Sequence, residues 1–182
     1  MIEELITLLS FKKYKIIIII MIKTGKLKDY KPIKYINNNY ILSWGLTKHG
    51  GDLYTWNYTI LPLKPSIEEV KNIINSYYNK ITKNNIEKNF KWNEMNISLS
   101  LENQIDYKLL YDTTVLLKGT NLPEKVKFKI GKENIYYSFE TIEDMKEFII
   151  AMNEHIRKYL NKGYEMKESV NYEEYEQNLE TI

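Results

Sequence analysis

The run Ile16-Ile17-Ile18-Ile19-Ile20-Met21-Ile22 constrains the fold more than any other stretch of the chain. Seven apolar residues are too few for a helix to cross a bilayer core, which takes about 20. Lys12, Lys13 and Lys15 precede the run as in a secretory signal. Lys23-Thr24-Gly25-Lys26 follows it, where the small residues of a cleavage site would stand. Five consecutive β-branched residues favour an extended strand over a helix. The first reading is a strand buried on both faces; the alternative is an N-terminal segment that orders only against a partner. Left bare, such a run promotes aggregation, so both readings require a cover. Ile16, Ile17, Ile18, Ile19 and Ile20 are therefore candidate partner-binding residues.

The rest of the chain alternates between two periodicities. Residues 3–10 are compatible with a short helix, and the polar, Lys-rich stretch 23–34 reads as a linker. Segments 35–44 and 53–61 are rich in β-branched and aromatic residues, and Lys48-His49-Gly50-Gly51-Asp52 between them has turn chemistry. They read as a hairpin. Tyr54, Trp56, Tyr58 and Ile60 share one face of its second strand, which adds Trp56 and Tyr58 to the candidate partner-binding set.

Ser66-Ile67-Glu68-Glu69 is a capping box, and the apolar spacing after it predicts a helix over 67–80. Residues 90–92 and 96–99 are short extended pieces. Ser100 is a candidate N-cap for a helix over 101–117, with Ile105, Leu109, Leu110, Leu116 and Leu117 among its apolar positions. Strands at 125–130 and 135–139 flank the turn Gly131-Lys132-Glu133-Asn134. Thr141 caps a long helix with an apolar stripe from Ile142 to Leu160, ending at Gly163 as C′. The acidic tail is a short helix near 170–179 or frays.

The expected class is α+β: three main helices with a small antiparallel sheet, preceded by an N-terminal β segment. The expected division is an N-terminal arm and hairpin at 1–62, then an α+β module with an acidic tail at 63–182.

The chemistry available is narrow. Of 182 residues none is Cys, which excludes a disulfide scaffold, a thiol nucleophile and thiolate zinc sites. His49 and His155 are the two histidines, far apart in sequence and without partners at ligand spacing. No catalytic residue, metal site or cofactor is assigned. Glu102 with Asp106, and Asp106 with Asp112, are read as ordinary helix-surface carboxylates. Lys125, Lys127 and Lys129 beside Tyr136 and Tyr137 form a basic, aromatic hairpin able to stack single-stranded bases. Against that, 25 of the 26 basic residues are Lys and Arg157 is the lone Arg. Arg is the usual bidentate partner for phosphate and guanine, so nucleic acid is disfavoured. Ile, Lys, Asn and Tyr make up nearly half the chain, a bias that a low-GC genome produces. Net charge is +5 over residues 1–62, +4 over 63–132 and −7 over 133–182, a polarity open to pairing within one fold or between neighbouring copies.

From residue 64 onward several stretches resemble a known group. They are Lys64-Pro65-Ser66-Ile67-Glu68-Glu69-Val70-Lys71, Phe90-Lys91-Trp92, Leu99-Ser100-Leu101-Glu102-Asn103-Gln104-Ile105-Asp106-Tyr107-Lys108, then Leu122-Pro123-Glu124-Lys125-Val126-Lys127-Phe128-Lys129-Ile130-Gly131. The pattern is similar to that of small uncharacterised proteins of phages and prophages of Bacteroidales, over about residues 65–175. Ser98 and Tyr164 depart from it, each standing where the group has Trp. The group carries no established activity, so the resemblance implies a phage context rather than a mechanism.

Its motif residues Trp92, Ser100, Glu102, Asn103, Tyr107 and Tyr111 read first as structural: a cap, a first helical turn and aromatic packing. The expected function is a non-enzymatic virion structural protein of a tailed bacteriophage, a fibre-attachment, adaptor or decoration subunit acting through protein–protein contacts. Its expected partners are other phage structural proteins, as a homo-oligomer or within a symmetric assembly, with no membrane. The expected location is the virion, and the infected cell's cytoplasm before assembly. The alternative is a non-virion phage protein, either a tail-fibre assembly helper or a host-takeover regulator that binds nucleic acid.

Overall fold

The computed structural model describes residues 7–10, 17–130 and 133–182. The fold is α+β, and the chain divides into two compact units: Met1–Asn79 with Tyr164–Ile182, and Lys80–Gly163.

The first unit is built on an antiparallel sheet ordered β1-β2-β5-β4-β3. Its strands are β1 (Thr7–Ser10), β2 (Ile17–Gly25), β3 (Ile33–Ile36), β4 (Asn39–Gly50) and β5 (Leu53–Leu61). The isoleucine run forms β2, as β-branching favours. Burial on both faces is not found: Ile20 is buried, whereas Ile19 and Ile22 are exposed. Alternation separates Ile19 from Ile20, and the face that Ile20 buries is uncovered further along the strand, at Ile22.

The helix expected over 3–10 is overturned where it can be followed. Residues 7–10 pair antiparallel with β2, Thr7 opposite Ile20 and Ser10 opposite Ile17; residues 3–6 lie outside the described residues. The linker expected at 23–34 is more ordered than its polarity suggests, since β2 runs to Gly25 and a 3₁₀ turn covers Leu27–Asp29. Segment 35–44 is not one strand. Asn37 and Asn38 take positive φ of 50° and 60° and turn the chain between β3 and β4. This is the two-residue hairpin geometry that Asn tolerates. The expected hairpin partner β5 does pair with β4, turning at Gly51-Asp52.

Helix α1 (Ile67–Lys88) begins at the expected capping box. The Glu69 N–H donates to Ser66 Oγ at 3.2 Å, and the Ser66 N–H donates to Glu69 Oε2 at 2.8 Å. In the first unit it buries Val70, Ile73, Ile74, Tyr77 and Tyr78. Tyr77 packs edge-on to Trp44 at 5.4 Å, and its hydroxyl donates to Asn57 Oδ1 at 2.7 Å. Helix α4 (Tyr172–Thr181) completes this core. Tyr175 and Leu179 are buried, and the Tyr175 hydroxyl donates to the Ser43 carbonyl at 2.8 Å. Burial raises the Tyr175 phenol far above its ordinary range, with the neighbouring Tyr30 adding to the effect.

The second unit contains β6 (Phe90–Trp92), β7 (Met95–Ile97), α2 (Leu101–Leu116), β8 (Glu124–Ile130) and β9 (Glu133–Phe139). Helix α3 (Ile142–Glu168) runs through it to its limit at Gly163 and onward. Its core is aromatic. Phe148 stacks on Phe128 at 5.5 Å and meets Phe90, Trp92, Tyr107 and Phe139 edge-on at 5.3–5.8 Å. Each such pair adds about 0.5–1.5 kcal/mol beyond the area it buries.

Gly163 is not a C′ residue. It is buried inside α3, and a Cβ there would lie 2.3 Å from Thr82 Oγ1. Glycine stands at this position because of its close neighbour Thr82, not because the chain turns.

Candidate interaction surface

The candidate partner-binding residues separate by depth. Ile16 lies outside the described residues. Ile17 and Ile18 are backbone members of β2, opposite Ser10 and Leu9. Ile20 is core, and so is Trp56, which packs edge-on to Tyr30 at 5.8 Å. Tyr58 is half-buried opposite Met21 and Ser43. Ile19 is exposed, and its carbonyl accepts from the Thr59 hydroxyl at 2.9 Å.

Three of the motif residues, Ser100, Glu102 and Asn103, stand at the start of α2. Ser100 Oγ accepts from the Asn103 N–H at 3.2 Å. Asn103 Nδ2 donates to the Ser98 carbonyl and Gln104 Nε2 to the Leu99 carbonyl, both at 2.8 Å. These side chains close the strand-to-helix junction, and Glu102 beside them is exposed. Tyr107 points inward, 5.7 Å from Phe128 and 5.3 Å from Phe148. Burial pushes its phenol up to about 12, with Asp106 adding a smaller push. Tyr111 is half-buried against the same core, as is Trp92.

The inward turn of Tyr107 and Thr114 fixes what α2 shows to solvent. At 100° per residue, Leu101, Ile105, Leu109, Asp112 and Leu116 occupy a stripe about 80° wide on the opposite side. Their apolar members are 67% (Leu101), 57% (Ile105), 63% (Leu109) and 81% (Leu116) exposed, and Val115 flanks them at 44%. A helix with apolar stripes on two opposite sides ordinarily has both covered. Here one side packs on the aromatic core and the other is bare. The bare side exposes on the order of 400 Å² of apolar surface, the scale at which patches mark interaction sites. Sequence reasoning placed Ile105, Leu109 and Leu116 on this helix. It did not identify the stripe, because apolar residues on both sides give the helix no preferred inward direction.

The other groups with chemical potential are dispersed. His49 Nε2 lies 2.7 Å from Thr55 Oγ1 at an exposed position. His155 Nε2 lies 3.1 Å from the Ile86 carbonyl, with its ring against Phe90 and Tyr159. Among the described residues no three His, Asp or Glu side chains are grouped to hold a metal ion, and no helix is long and apolar enough to cross a membrane. A void of about 10 Å³ beside Tyr107, Phe139 and Phe148 is no larger than a single water requires.

The basic hairpin differs from its expectation. Lys125 and Lys127 are exposed, and Lys125 Nζ lies 5.1 Å from the Tyr136 ring. Tyr137 faces the other way, against Phe128 and Phe139. Its hydroxyl lies 3.3 Å from Asp144 Oδ1 and accepts from Asn93 Nδ2 at 3.2 Å. A two-Tyr stacking platform is therefore absent, because strand alternation separates neighbouring residues.

No protein-family model, curated protein or solved structure matches the chain.

Proposed function

We propose that this protein is a non-enzymatic structural subunit of a tailed-phage particle, a fibre-attachment, adaptor or decoration protein that acts through protein–protein contacts. One observation carries the interaction role: the bare apolar face of α2, directly opposite the side that packs on the aromatic core. A polar face there would cost the fold nothing, so an apolar one is accounted for by a partner. The phage context rests on the sequence resemblance, and the virion follows as the place of action, after a cytoplasmic stage before assembly.

Quantitative mass spectrometry on gradient-purified particles, counted as copies per portal, tests this reading. A fixed, near-integer ratio is expected. Absence from particles together with abundance in infected cells overturns it in favour of an assembly helper or a regulator.

A further inference from the structure

We draw no further inference here: the strongest candidate, the bare apolar face of α2 around Ile105 and Leu109, carries none because nothing in the structure shows what covers it.

Discussion

Gly163 shows how one missing side chain decides a packing contact. Thr82 is buried and β-branched, and its Oγ1, Cγ2 and Cβ would lie 2.3, 3.1 and 3.2 Å from an added Cβ. Gly163→Ala gains about 1 kcal/mol of helix propensity and incurs an overpacking penalty of about 1–3 kcal/mol. At 2.3 Å the upper part of that range applies, so a lower urea midpoint is expected. A raised midpoint would refute the contact.

The buried tyrosines set a second expectation at this scale. Tyr78 and Tyr107 are both pushed up to about 12 by burial, against about 10 in an unfolded chain. Below pH 10 both states hold these protons, and the full stability is present. Above pH 10 the unfolded state loses them first, so it binds fewer protons and stability falls with rising pH until about pH 12. Chemical denaturation at stepped alkaline pH should show this decline, and Tyr107→Phe should make it shallower. A decline of equal slope in that variant would remove Tyr107 from the account.

At the scale of elements, caps were legible and hairpins less so. Ser66 with Glu69, Ser100 with Asn103 and Thr141 with Asp144 each make the bond their spacing predicts, because a cap is local chemistry within one turn. Ser100→Ala should cost about 1 kcal/mol, read as a lower midpoint in urea, while Ser100→Asp should restore most of it. The turn at Asn37-Asn38 was missed. Its strands β3 and β4 share the same β-rich composition, and only the positive φ of the two asparagines separates them. Helix α2 was legible as a helix but not in its orientation. Apolar residues on both sides leave the choice of inward face to the aromatic core, which takes Tyr107 and Thr114.

For the whole molecule, the decisive feature is that the first unit is assembled from both ends of the chain. Tyr175 and Leu179 supply its core from α4, about 130 residues downstream of Ser43, whose carbonyl Tyr175 binds. A chain ending at Ser169 loses both side chains, and burial of two such groups is worth at least about 3 kcal/mol. The tryptophans separate the units: Trp44 and Trp56 lie in the first and Trp92 in the second. With single-Trp variants, the truncated chain should show Trp44 or Trp56 emission shifting to the red at lower denaturant, and Trp92 emission unchanged. Equal shifts in both reporters would contradict the division.

The sequence by itself determined most of the elements and the α+β class. Strand and helix periodicity, caps and β-branching act over a few residues, and those forces are written in adjacent letters. It also supplied, through resemblance, the phage context of the proposed function. Tertiary structure alone decided that Ile20 and Trp56 are core while Ile19 is exposed, and that Tyr137 turns away from Tyr136's face. It also decided that the acidic tail joins the N-terminal sheet and that α2 leaves one apolar side bare. Each of these depends on which surfaces meet across long sequence separations. Burial is a property of the assembled neighbours, and no local pattern encodes which of two apolar faces will find one.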